Sequence, residues 1–161
     1  MKISNFMSPG YLSFSLGLDY KPSEVFSLFL SPISSKFTFV LDDDLSAAGS
    51  FGLDPDQKTR AEIGAYIKMT FKKEILKNVT LDTKIDLFSN YFDNPQYIDV
   101  NWDLWLIFKV NDYLSASLLT QLIYDYDIKF GEDTTGDGEY DTFSEKVQFK
   151  ELFGLGLTYS F

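Results

Sequence analysis

The closing segment Phe153-Gly154-Leu155-Gly156-Leu157-Thr158-Tyr159-Ser160-Phe161 alternates a large apolar residue with a small or polar one at every step. Successive side chains of a strand point to opposite faces, so this pattern makes a ribbon with one greasy face and one slim, wettable face. The same period recurs far upstream. Between Tyr11 and Tyr20, the residues Leu12, Phe14, Leu16, Leu18 and Tyr20 share one face, while Ser13, Ser15, Gly17 and Asp19 share the other.

Seven segments follow this rule, separated by turn-forming clusters. After Lys21-Pro22-Ser23-Glu24, the second runs to about Val40 and changes phase: Phe26, Leu28 and Leu30 are even-numbered, whereas Ile33, Phe37 and Phe39 are odd. A slip of one residue would turn every later side chain onto the wrong face, so a bulge is expected near Ser31-Pro32. Leu41 to Thr59 reads as a long polar loop. The third segment, about Arg60 to Lys72, aligns Ile63, Ala65, Ile67, Met69 and Phe71, and Lys73 to Asn78 reads as its connection to the fourth. The fourth aligns Val79, Leu81, Ile85 and Leu87; the fifth aligns Ile98, Val100, Trp102, Leu104, Leu106 and Phe108. The sixth runs from Leu114 to about Tyr126, and a polar loop over Gly131 to Ser144 precedes the last.

Composition narrows the field. The chain has 161 residues, room for one domain, with aromatic residues at 17%. Its apolar residues are dispersed, and no window approaches the roughly 18 consecutive apolar residues of a membrane helix. Absence of Cys excludes disulfides and thiolate metal sites, and absence of His removes the usual general base of hydrolases. A net charge of -10 disfavours nucleic acid as a partner. Met1 to Gly10 lacks the apolar core, about 7–15 residues long, of a secretory signal.

Period-two strands alone do not distinguish a soluble sandwich from a membrane barrel. Three features favour the barrel. Several segments exceed the roughly 5–6 residues usual for soluble strands. Their polar faces carry mainly Ser, Gly, Thr, Asn and Asp, and aromatics such as Tyr11, Tyr20, Tyr91, Tyr97, Tyr124 and Tyr159 gather at segment ends, where a membrane interface would hold them. The expected fold is all-β: an antiparallel up-and-down meander of about seven strands, forming the C-terminal part of a transmembrane β-barrel in a single domain over residues 1–161. Single-chain bacterial barrels close with even strand numbers, so an odd count implies an N-terminally incomplete barrel.

The terminal Phe161, with Tyr159, Leu157, Leu155 and Phe153 upstream and Gly156 between them, resembles the closing strand of bacterial outer-membrane barrels; Gly154 stands where that signature usually has a polar residue. The runs Phe6-Met7-Ser8-Pro9-Gly10-Tyr11-Leu12, Leu16-Gly17-Leu18-Asp19-Tyr20-Lys21-Pro22 and Phe26-Ser27-Leu28-Phe29-Leu30-Ser31-Pro32 resemble an uncharacterised outer-membrane family, a domain of unknown function. So do Asp86-Leu87-Phe88-Ser89-Asn90-Tyr91, Ile98-Asp99-Val100-Asn101-Trp102, Tyr113-Leu114-Ser115-Ala116-Ser117, Gln121-Leu122-Ile123-Tyr124-Asp125 and Val147-Gln148-Phe149-Lys150-Glu151. The resemblance implies location in the outer membrane of a Gram-negative bacterium, contact with its lipid, and recognition by the barrel-assembly machinery through Gly156, Tyr159 and Phe161. It implies no activity, and no catalytic residues follow from it.

Two sets of residues invite a functional reading. Asp82, Lys84, Asp86, Asp99, Asp103, Lys109, Asp125 and Asp127 fall on the polar faces and are expected to line the lumen. A narrow lumen has to be filled, and cross-bracing ion pairs fill it; a cation-leaning pore is the alternative. Asp133, Asp137 and Asp141 flank Gly136 and Gly138 in an acidic loop that partly matches a calcium loop, although Thr135 and Ser144 occupy positions where acids are usual. Calcium is the one cofactor these residues suggest. The expected function is a non-enzymatic envelope scaffold, with a small ion or solute channel and a soluble lipid-binding barrel as the alternatives.

Overall fold

Strands built from strict alternation pair with their sequence neighbours when turns allow it, and each long strand of this chain pairs with the next long strand. The computed structural model describes residues 4–136 and 141–159. Its strands are β1 (Gly10–Tyr20), β2 (Phe26–Phe39), β3 (Thr59–Leu76), β4 (Val79–Asn90), β5 (Asp99–Lys109), β6 (Leu114–Tyr124), β7 (Lys129–Glu132), β8 (Thr142–Glu145) and β9 (Gln148–Leu157). Seven of them form one antiparallel sheet in the order β1-β2-β3-β4-β5-β6-β9, while β7 and β8 pair as a separate hairpin. The sheet is open: β1 and β9 are its two edges and do not pair with each other.

The phase change in β2 takes the form expected. The register shifts between Ser31 and Ser34 against β3, and between Leu16 and Leu18 against β1. Gly17 makes room for this irregularity, since a Cβ there would lie 2.2 Å from the Leu30 carbonyl oxygen. The Ser31 hydroxyl sits 2.9 Å from the Leu16 carbonyl and 2.7 Å from that of Ile33, serving backbone groups that the interrupted ladder frees.

Other boundaries move. β3 continues to Leu76, because Lys72, Lys73 and Glu74 still pair with Asp82, Leu81 and Thr80, so the turn shrinks to Lys77-Asn78 with Asn78 at φ 65°. β6 ends at Tyr124, which places Asp125 and Asp127 in the following turn instead of a strand. The supposed polar loop after Gly131 contains the β7–β8 hairpin. The β2–β3 loop is folded, with helix α1 (Asp43–Ala47) capped by Asp42 and a 3-10 turn at Ser50–Gly52. Among the described residues, Val40, Leu45 and Leu53, with Phe51 against them, make up the buried apolar cluster, and it belongs to this loop and not to the sheet.

The two faces of the sheet differ in curvature and chemistry. Lys36 on β2 lies 3.9 Å from Asp125 beyond β6, and Arg60 on β3 lies 2.5 Å from Asp127, so the polar face curls across several strands and is concave. Most of the apolar strand side chains occupy the convex face and point away from the protein. Leu155 is 71% exposed, whereas Glu62 on the concave face is 2% exposed, the reverse of a soluble sheet.

Candidate functional site: the charged concave face

Because side chains repeat every second residue, adjacent strands in register stack polar positions into rows. Ser27, Thr70, Lys84, Asp103 and Gln121 form one such row through successive pairing, and Phe29, Lys68, Asp86, Asn101 and Ile123 form the next. Lys84 joins the rows: its ammonium lies 2.9 Å from Asp86 and 3.7 Å from Asp103. The Gln121 amide donates to Asp103 at 2.8 Å, and the Tyr66 hydroxyl donates to Asp86. A concavity of about 350 Å³ opens here between Lys36, Tyr66, Lys84, Asp86, Asp99 and Asp125.

Toward the long loops a second group of charges converges. One Arg60 nitrogen lies 2.5 Å from Asp127 and 2.7 Å from Glu62, while the other donates to the Gly52 carbonyl at 2.7 Å. Arg60 thereby ties together the β2–β3 loop, its own strand and the turn after β6. Lys36 approaches Glu62 at 3.7 Å and lies 5.8 Å from the centre of the Phe88 ring. The Glu62 oxygens receive no well-directed hydrogen bond among the described residues, so the Arg60 and Lys36 charges hold them by attraction. Asp99 accepts the Tyr126 amide at 3.2 Å. Burial pushes the Asp127 carboxyl above its usual range; Glu62 and Asp125 add to that shift and the Arg60 guanidinium opposes it.

Carboxylate oxygens of Glu62, Asp99 and Asp127 lie within 4.8 Å of one another, a spacing suited to a hard cation. The Arg60 guanidinium already lies against two of the three, so part of their charge is balanced from within the protein. A recess of about 700 Å³ lies beside it, walled by Asp54, Gln57, Arg60, Phe92, Asp93 and Asp127.

Of the residues expected to line the lumen, Asp82, Lys84, Asp86, Asp99, Asp103 and Lys109 share the concave face, and Asp125 and Asp127 lie in the turn after β6. Asp82 pairs with Lys72 at 2.9 Å, and Lys109 reaches the turn residue Asp112 at 2.7 Å, leaving Lys109 at the rim. Lys36, Arg60, Glu62 and Tyr66 escaped sequence reasoning, though each sits in a polar position of an alternating strand. In the candidate calcium loop, Asp141 accepts from the amides and hydroxyls of Thr134 and Thr135 at 2.9–3.0 Å, which holds its carboxyl below the usual range. Asp133 accepts from the Gly136 amide. Asp137 and Phe161 lie outside the described residues, whereas Gly156 faces the concave side beside Ser115 and Tyr159 stacks against Tyr113 with ring centres 6.4 Å apart. Of the two tryptophans, Trp102 donates to Thr83 at 2.8 Å on the convex face, and Trp105 stands opposite Asp82 and Leu119 on the concave face.

Comparison of the chain with protein-family models, with curated proteins and with solved structures yields no match.

Proposed function

We propose that this chain forms part of the wall of an outer-membrane β-barrel and serves as a non-enzymatic envelope scaffold. The observation that carries the proposal is the inversion of the sheet, in which the apolar convex face is left exposed and buried charges such as Glu62 sit on the concave face. Strand length agrees: β6 has 11 residues. At about 3.4 Å per residue and a tilt near 40°, such a strand rises about 29 Å, enough to cross an apolar band of about 25 Å. The stacked pair Tyr113 and Tyr159 at the short-turn end and the pair Tyr97 and Tyr126 at the loop end suit the two interfacial girdles.

In this reading the short turns face the periplasm and the long acidic loops face outward. The barrel-assembly machinery engages the last strand through Gly156, Tyr159 and Phe161, as the resemblance to outer-membrane proteins implies. With seven strands in the sheet, β1 and β9 run in the same direction, so fully antiparallel closure takes an odd number of additional strands. The paired charges around Lys84 favour a braced lumen over a conducting one.

Reconstitution tests this directly. The chain is expected to need detergent, to insert into lipid vesicles with Leu104 protected from water-soluble reagents, and to leave a planar bilayer non-conducting. Steady, salt-dependent single-channel steps would replace the scaffold with the channel reading. Solubility without detergent would support a lipid-binding barrel instead.

A further inference from the structure

Register across the sheet aligns one row of convex-face residues at mid-height: Phe71 opposite Thr83, Thr83 opposite Leu104, Leu104 opposite Thr120, and Thr120 opposite Glu151. Glu151 belongs to this face because its neighbours Lys150 and Leu152 stand opposite Gln121 and Leu119 on the concave side. A Cβ at Gly154 would meet the Ser117 hydroxyl there, which confirms the phase of β9. One row nearer the short turns, Lys73 stands opposite Leu81. In the seven strands of the sheet, Lys73 and Glu151 are the two charged residues on the convex face; every other strand Asp, Glu, Lys or Arg is on the concave face. Both are exposed, and neither side chain has an ion pair among the described residues.

An ionisable group at mid-membrane depth is costly against hydrocarbon and usually faces protein. Lysine near a strand end extends its long stem to the interface, but a glutamate carboxyl in the middle row is too short to reach either surface. The two charges have opposite sign and differ by one row, about 7 Å along a strand, which a lysine side chain can bridge.

We propose that the convex face around Glu151 is an interface between copies of this chain, in which Glu151 on β9 of one copy meets Lys73 on β3 of the next. The inference rests on the strands spanning a membrane. The two patches differ, so the contact is head-to-tail, and successive copies keep the same orientation in the bilayer. A two-fold pairing would instead have to bring both Glu151–Lys73 contacts into one interface, across the four strand spacings that separate β3 from β9 on a convex face.

The chain contains no cysteine, so introduced thiols report without background. Phe71→Cys and Phe153→Cys leave both charges in place and sit two residues from Lys73 and Glu151 on the same strands and face. The two variants, mixed in phosphatidylcholine vesicles and treated with a short bismaleimide, are expected to give a mixed dimer. Lys73→Glu added to the Phe71→Cys variant should abolish it, and Glu151→Lys added to the Phe153→Cys partner should then restore it. A Leu104→Cys variant in the same vesicles reports insertion separately through protection from a water-soluble maleimide. Protection at position 104 without the mixed dimer overturns the interface and leaves the membrane reading intact. Cross-linking that survives Lys73→Glu, or that joins only two Phe153→Cys copies, also overturns the pairing. Labelling at position 104 overturns the membrane reading and the interface with it.

Discussion

At the scale of single residues, the decisive contrast lies between Leu104 and Asp127. Leu104 sits mid-strand on the convex face, between Thr83 and Thr120. If lipid covers that face, Leu104→Arg is expected to cost about 2–4 kcal/mol in a bilayer folding titration, the depth-dependent cost of a cation near the midplane. A cost near zero would place Leu104 in water. Asp127 lies in the turn after β6, where burial raises its carboxyl above the usual carboxylate range. An acid whose pKa is raised on folding binds its proton more tightly when folded. Its contribution to stability is therefore full below the unfolded pKa and is lost as pH rises through the folded one. The urea midpoint should accordingly fall as pH rises above about 4, and Asp127→Asn should flatten that slope. Acidic loops such as Asp42-Asp43-Asp44 and Asp54-Asp56 were obvious in the sequence, but the pairing of Arg60 with Asp127 was not. These two residues are 67 positions apart and meet because the sheet curls.

At the scale of elements, β2 was legible because its apolar residues switch from even to odd numbers, and a strand tolerates that switch through a bulge. Gly17 is the partner that the bulge requires. Replacing it by Val would drive a side chain into the Leu30 backbone, 2.2 Å away, and should cost roughly 1–3 kcal/mol in denaturant unfolding. The equivalent change at Gly154, which meets only the Ser117 hydroxyl at 2.9 Å, should cost less. The β2–β3 loop was harder to read. Its Asp, Ala, Gly and Ser composition looks unstructured, yet Val40, Leu45 and Leu53 bury one another and Arg60 fastens Gly52. Arg60→Gln is expected to raise the rate of limited proteolysis within residues 41–59 while leaving strand content unchanged, checked by mass mapping and circular dichroism. The end of β3 was misplaced because Lys72, Lys73 and Lys77 resemble a turn, whereas cross-strand pairing to Asp82 carries the strand through them.

At the scale of the whole molecule, the sheet has no buried apolar core between layers among the described residues; the buried apolar cluster they form belongs to one loop. Such a sheet is stabilised by its hydrogen-bonded ladders and by whatever covers the convex face. Deleting Phe161 is expected to lower assembly into membranes far more than it lowers strand content, measured by heat-modifiable migration and circular dichroism. Equal insertion of the shortened chain would remove the terminal strand from the assembly signal. Two long unpaired edges, β1 and β9, are exposed to further pairing, which a soluble protein ordinarily blocks with charges or proline.

Alternation alone determined the seven strands of the main sheet, their order as a meander and the chemistry of each face, because a two-residue period is a property of the local backbone; it missed the short β7–β8 hairpin. Direction of curvature, the meeting of Lys36, Arg60 and Glu62 with the turn after β6, and the isolation of Lys73 and Glu151 on the convex face came only from tertiary structure. They depend on how each strand is offset against the next. That offset is set by bulges, turns and pairing summed across the sheet, and no single strand encodes it.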